Sequence, residues 1–278
     1  MELTRRRMLG IARAEREALG RTVQYTPPGR WEADSPIEGW RVKDVLSHLG
    51  ASEVAAAAVV AGEAPEEVQE YRKTLEPGAA FTGDGFNNWS VARRAETPVH
   101  SVALEWGRAA DLFLSRVGKA TDEEWVEKEV AWITADLRLR YLVMVRMAEW
   151  YGHGEDIREG AALPPRLEHF PIYVVNDLSI RMLPYSLSLA GHSFPGKVVQ
   201  VELEAEGEGT WRRRLDASIE EPPQGGRPDA YITGRGYAFA SVAAGRADAD
   251  VCLYEGLLNV GGRTEIAEAV LHSLRSFP

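Results

Sequence analysis

Four stretches within the first 160 residues carry apolar side chains at helical spacing, and residues that start or stop helices flank them. The first runs from Thr4 as N-cap through Met8, Ile11, Ala12 and Leu19 on one face, with Gly20 as the expected stop. The second covers about Arg41 to Ala61, with Val42, Val45, Leu46, Leu49 and Ala56 inward and Gly62 ending it. The third places Thr97 at the N-cap and Pro98 at the first helical position. It carries Val102, Trp106, Ala110, Phe113 and Val117 inward and stops at Gly118. Thr121-Asp122-Glu123-Glu124 reads as a capping box opening a short helical turn. The fourth follows Thr134 and carries Leu137, Tyr141, Leu142, Val145, Ala148 and Gly152. Four amphipathic helices bury their stripes most simply against each other, so the expected architecture is an all-α four-helix bundle. The connection from Gly62 to Glu96 reads as one long loop with a Gly/Asn-rich stretch, Gly83-Asp84-Gly85-Phe86-Asn87-Asn88. Loops of that length in compact domains tend to be functional or mobile.

The pattern changes after Ala161-Ala162-Leu163-Pro164-Pro165, which reads as a linker between a domain at residues 1–160 and another at 166–278. At about 150 residues per domain, a length of 278 residues points to about two domains. Seven of the eight tryptophans lie in the first 150 residues. Beyond the linker, Pro171–Leu183 reads as a helix, and residues 198–205 alternate as a half-buried strand should. Trp211–Leu215 is its expected hairpin partner across Gly207-Glu208-Gly209. Asp229–Thr233 and Cys252–Val260 read as further strands, with helices near Tyr237–Ala244 and Arg263–Phe277. The expected second domain is therefore α+β.

Charge removes whole classes of function. Asp and Glu outnumber Lys and Arg by 42 to 32, a net charge of −10. Nucleic acids and anionic membranes are both held by basic side chains, so neither is an expected partner. A single cysteine, Cys252, excludes an internal disulfide framework and a CxxC redox centre. It reads as the first residue of a strand, in the role of a small buried hydrophobe. Thr4-Arg5-Arg6-Arg7-Met8-Leu9 has the look of a twin-arginine export signal. Arg13, Glu15, Arg16 and Glu17 interrupt the apolar run such a signal needs, so the expected location is cytoplasmic. Arginine supplies 27 of the 32 basic residues, which suggests a GC-rich bacterial genome. Gly234-Arg235-Gly236 lacks the third glycine of a dinucleotide loop.

The chemistry concentrates on the fourth helix, in Glu149-Trp150-Tyr151-Gly152-His153-Gly154-Glu155-Asp156. Glu149 and His153 stand four apart and share a helical face, and Asp156 follows three later on the same stripe. That stripe continues the apolar line of Leu142 and Val145, where unpaired polar groups cost several kcal/mol, about the price of a lost core side chain. On the second helix His48 lies among Val45, Leu49 and Ser52, again bordering the buried face. Two His and one carboxylate from facing helices form a known set for catalytic zinc with an open position, and for non-haem iron. The same residues also fit an ordinary helix pair beside a hydrogen-bonded core histidine. His100, His169, His192 and His272 have no ligand-like neighbours and read as structural or solvent-facing.

Gly39-Trp40-Arg41-Val42-Lys43-Asp44-Val45-Leu46-Ser47-His48-Leu49 resembles the W-x-V-x-D-V-x-x-H-L signature of the mycothiol-dependent maleylpyruvate isomerase family, within the DinB-like metal-binding bundles. Glu149-x-x-x-His153-x-x-Asp156 is similar to the second motif of that family. The later domain looks more loosely like a sterol-carrier-type domain, by its strand–helix–strand order and its Gly245-Arg246 and Gly261-Gly262 turns. The resemblance implies a divalent metal, usually zinc, on His48, Glu149 and His153. It places Asp156 beside the site without making it a ligand. It further implies a mycothiol-like low-molecular-weight thiol as cosubstrate, a small-molecule substrate, and isomerase or S-transferase chemistry. In the family an arginine of the second domain often serves the cleft, and Arg212, Arg213, Arg214, Arg235 and Arg246 are the choices here.

Two other functions are compatible with these residues. One is a metal-binding bundle without catalysis, whose second domain carries a lipid or other small apolar ligand. The other is a non-haem iron oxygenase that uses the same three ligands.

Overall fold

The structure, a computed structural model, describes residues 3–133, 136–219 and 227–275. The chain divides into two compact units between Arg166 and Leu167.

In the N-terminal unit the four long helices are α1 (Arg5–Tyr25), α2 (Val42–Val60), α5 (Val99–Gly118) and α7 (Leu139–Gly160). Helix α2 packs on both α5 and α7, and α1 packs on α7 and α5. Nearly every side chain of α2 is buried, including the run Ala55-Ala56-Ala57, because α2 is covered on several sides at once. Trp150 of α7 meets Phe113 of α5 edge-on at 6.2 Å between ring centroids. Among the described residues, no helix is long and apolar enough to cross a membrane.

Element boundaries depart from expectation where packing outweighs local signals. Thr4 caps α1 as expected, its hydroxyl accepting from the Arg7 amide at 3.4 Å. The helix nevertheless continues through Gly20 to Tyr25, since one internal glycine costs only about 1 kcal/mol and Leu19 and Thr22 are both buried. Pro98, not Thr97, occupies the N-cap of α5, one residue later than expected, and no side chain caps that end. The capping box at Thr121 and Glu124 is present and opens α6 (Asp122–Glu127). The fourth long helix starts later than expected. A hairpin of β1 (Glu129–Ala131) and β2 (Asp136–Arg138) comes first, pairing Val130 with Leu137. Backbone groups of residues 136–138 thus find partners across the hairpin, which an unsupported first helical turn does not offer. Thr134 lies outside the described residues.

The connection from Gly62 to Glu96 is not one loop but carries α3 (Glu66–Thr74) and α4 (Gly83–Arg93). Thr82 caps α4 by accepting from the Gly85 amide at 3.1 Å. Phe86 is buried against Val68 and Tyr71, with Phe81 and Trp89 packed around them. Gly85 is required by this packing, because a Cβ there would stand 2.2 Å from the Tyr71 hydroxyl. The aromatic cluster thus imposes helix on a stretch whose composition reads as loop.

The C-terminal unit holds a four-stranded sheet of β3 (Val198–Glu204), β4 (Gly209–Arg214), β5 (Ala230–Arg235) and β6 (Leu258–Gly262), in the order β4-β3-β5-β6. β3 pairs antiparallel with β4 and parallel with β5, and β5 pairs antiparallel with β6. Val199, Val201 and Leu203 bury one face of β3. The helices are α8 (His169–Leu189), α9 (Gly236–Ala243), α10 (Ala249–Tyr254) and α11 (Thr264–Ser273). α8 packs on α9, α11 and β4. It runs six residues beyond the expected end at Leu183, with Pro184 inside it and Ser186 and Leu187 buried beyond. Residues 252–260 are not a single strand. Cys252 lies in α10, whose start is capped by the Asp248 carboxylate on the Val251 amide at 3.0 Å, and the strand begins at Leu258. α11 ends at Ser273, and Phe277, the expected end, lies outside the described residues.

Candidate metal centre

The second helix is started by the residues that precede His48. The Asp44 carboxylate accepts from the Arg41 backbone amide at 3.0 Å and from the Arg41 guanidinium Nε at 2.9 Å. A carboxylate in the first turn also meets the positive end of the helix dipole. The Trp40 ring packs on the His48 ring at 5.4 Å, and its indole N–H donates to Asn88 of α4 at 2.9 Å. The region between α2 and α5 thereby helps to hold the ring that covers His48.

Helix α7 brings Glu149, His153 and Asp156 to the same place. His48 Nε2 lies 3.1 Å from Glu149 Oε2, and His153 Nε2 lies 3.4 Å from the same oxygen. The two imidazoles meet edge-on at 4.8 Å between centroids. One ligand atom from each of His48, Glu149 and His153 falls within 4.8 Å of the others. Asp156 Oδ2 lies 2.8 Å from His153 Nδ1, and Asp156 is buried.

This cluster fits a divalent ion. Ligand atoms about 2.0 Å from a tetrahedral ion are separated by about 3.3 Å, close to the two edges measured to Glu149. The Asp156 contact assigns the Nδ1 proton of His153 and leaves Nε2 facing Glu149, which is how a metal-binding histidine is usually oriented. Three donors from the protein leave room for a further ligand, as catalytic sites require.

Proton affinities show the same electrostatic design. Burial opposes ionisation of Glu149, but the hydrogen bonds from His153 and His48, with Arg146 nearby, hold its carboxyl well below the usual range. Burial likewise opposes charge on His153, yet Asp156 and Glu149 together push its pKa up to about 9. Burial pushes His48 down. Without an ion, a proton on His153 therefore balances the carboxylates.

The structure thus brings together the four residues singled out in the sequence, His48, Glu149, His153 and Asp156. Trp40 and Asn88 were not singled out, although Trp40 stands inside the quoted motif. Glu53 and Arg146 were also missed. Glu53 is fully buried on α2, and Arg146 is 1% exposed on α7, with its NH1 3.7 Å from Glu149 Oε2. Their signal was available, since both are charged residues within helices whose neighbours are apolar.

Among the described residues, the group of possible ligand atoms includes no other histidine. His100 and His192 are exposed, His272 pairs with Asp250 at 3.0 Å, and His169 packs on Phe170 and Tyr173. Cys252 is buried, and burial pushes its thiol pKa up, which leaves it a poor nucleophile. Gly234 and Gly236 serve packing, since a Cβ would lie 2.2 Å from the Leu257 carbonyl oxygen or 1.9 Å from that of Glu206. Within the C-terminal unit Arg213 is buried and donates to the Ser218 carbonyl at 2.7 Å. Arg214 pairs with Asp216 and Arg235 with Glu206. Arg212 donates to Gln200, and Arg246 to the Ala244 carbonyl.

Comparison with known proteins places the chain. Residues 12–158 match the family described as the mycothiol maleylpyruvate isomerase N-terminal domain. The crystal structure of a mycothiol-dependent maleylpyruvate isomerase is similar over 89% of this chain and 91% of that one, at 14% identity and a TM-score of 0.59. A histidine-to-alanine variant of such an enzyme is similar over 88% of this chain and 90% of its own, at 13% identity and a TM-score of 0.59. At these identities the likeness is one of fold. No curated protein sequence matches the chain. Since the match spans more than half of its residues, the chain belongs to the mycothiol maleylpyruvate isomerase N-terminal domain family.

Proposed function

We propose that this chain is a metal-dependent enzyme that uses a low-molecular-weight thiol, resembling mycothiol, to isomerise or modify a small unsaturated acid. In this reading residues 1–160 are a DinB-like bundle, and residues 166–278 are a sterol-carrier-like domain. His48, Glu149 and His153 hold one divalent ion, with zinc the expected one. The observation that carries the reading is the convergence of these three side chains, buried at His48 and His153 and half-buried at Glu149, with the second nitrogen of His153 taken by Asp156.

A divalent ion held by His48, Glu149 and His153 would supply Lewis acidity, favouring the thiolate of a thiol that is otherwise only about 3% ionised at neutral pH. The protein residues supply the rest. His153 would hold the ion through Nε2, with its Nδ1 proton kept on Asp156. Trp40 covers one side of His48 and limits access of water. Cys252, buried in the C-terminal unit, is no source of nucleophile, so the sulfur comes from the cosubstrate. The thiolate adds to the double bond of the acceptor, forming a C–S bond as the π electrons move into the conjugated carbonyl. The former double bond is then single and rotates. Return of the electron pair expels the thiolate and restores the double bond in the other geometry. If the adduct is protonated on carbon instead, an S-conjugate results.

Titrating a low-molecular-weight thiol against maleylpyruvate and following ultraviolet absorbance tests this reading. Turnover should rise with thiol and saturate. Turnover that is the same with no thiol present would overturn it and favour oxygenase chemistry on the same ligands.

A further inference from the structure

Glu53 and Arg146 form a buried ion pair on the same two helices that carry the three candidate ligands, with Arg146 one turn before Glu149. Glu53 is 0% exposed and Arg146 is 1% exposed. Arg146 Nε donates to Glu53 Oε1 at 2.7 Å, and the guanidinium NH2 lies 2.6 Å from that oxygen. The Trp150 indole N–H donates to it as well, at 2.6 Å. The Trp132 ring lies against the guanidinium, 5.5 Å from its carbon to the ring centroid. Arg146 NH1, on the other edge of the guanidinium, stands 3.7 Å from Glu149 Oε2.

Taking two full charges out of water is costly, and apolar residues of similar volume often stabilise a core as well or better. A pair kept in such a place calls for a role beyond packing. This one has a direction. Glu53 on α2 and Trp132 before the second hairpin strand fix the guanidinium, and its free edge faces the one oxygen that both imidazoles also approach. A planar guanidinium held at one edge is a rigid fork, so it restrains where that oxygen sits.

We propose that Arg146, anchored by Glu53, is a positioning residue for Glu149 that sets the orientation of the metal carboxylate. The proposal rests on the metal-centre reading above and extends it to two residues that do not touch the ion.

Cobalt(II) provides a test that does not depend on turnover. The full-length protein, stripped of metal, is titrated with cobalt against a chromophoric chelator, and its visible absorption is recorded with far-ultraviolet circular dichroism as the folding control. Arg146→Met should weaken cobalt binding about 10- to 100-fold and alter the visible bands, the effect known for groups that orient metal ligands. The paired variant Glu53→Gln/Arg146→Met removes both buried charges, so it relieves the folding penalty of an orphaned Glu53, and it should show the same loss. Arg146→Lys keeps the charge without the fork, and should recover part of the affinity while still shifting the bands.

A folded paired variant with wild-type cobalt affinity and spectrum would reduce the pair to a structural role and overturn the proposal. Should the paired variant fail to fold, Arg146→Lys decides, and an unchanged spectrum overturns the proposal. His153→Ala separates the two readings. If it abolishes cobalt binding while the paired variant does not affect it, the positioning role alone fails. If the wild-type protein takes up no cobalt, the metal reading fails and takes the proposal with it.

Discussion

His153 and Asp156, three residues apart on one helix, face each other at 2.8 Å between Nδ1 and Oδ2, and both are buried. One turn of helix therefore supplies a ligand and the carboxylate that orients it. Asp156→Ala should weaken metal binding about 10- to 100-fold by freeing the His153 tautomer. Asp156→Asn, which can still accept a hydrogen bond at its amide oxygen, should lose less. Competition with a chromophoric chelator measures both, and equal affinity for all three proteins would refute the role given to Asp156.

The proton held by His153 makes the metal-free protein sensitive to pH. Its pKa in the folded chain is raised to about 9 against an ordinary 6.5, so its contribution to stability is complete below pH 6.5 and disappears as pH rises through 9. That contribution is of order 3 kcal/mol. His48 and Glu149 are shifted the other way, so their contributions are lost as pH falls, His48 below 6.5 and Glu149 below 4.5. After chelation, the melting temperature should fall between pH 6.5 and 9, and His153→Ala should flatten that fall. A melting temperature that rises over this window in chelated wild-type protein would contradict the assignment.

At Gly85 the expected effect is on packing alone. A Cβ would press on the Tyr71 hydroxyl within the Phe81, Phe86 and Trp89 cluster. Gly85→Ala should cost about 1–3 kcal/mol, the usual range for overpacking, despite alanine being the better helix former. Chemical denaturation reads this directly, and a stabilised variant would show that α4 is packed otherwise.

Asp44 starts the helix that carries His48. Asp44→Ala removes the acceptor for the Arg41 amide and should cost about 1 kcal/mol, with little change in metal affinity because Asp44 does not touch the ligands. Parallel thermal melts and metal titrations separate the two effects.

The long helices and the candidate site were legible because both rest on periodicity. Val42, Val45, Leu46 and Leu49 mark a buried face, and charges or imidazoles set into such a face stand out. His48, Glu149 and His153 were found in that way, with the quoted motif supporting them. The elements that were missed depend on contacts distant in sequence. Helix α4 exists because Phe86 packs on Tyr71, and nothing within Gly83–Asn88 announces it. Cys252 sits in a helix because Asp248 caps it, a short local signal in a stretch rich in strand formers. Glu53 and Arg146 are ninety-three positions apart, and only the packing of α2 on α7 makes them partners.

Elemental analysis of the full-length protein, purified without chelator, tests the central claim most directly. About one equivalent of a divalent metal per chain is expected for wild type, falling to near zero in His48→Ala, Glu149→Ala and His153→Ala, each folded by circular dichroism. Wild-type metal content in these three variants would contradict the assignment of the site.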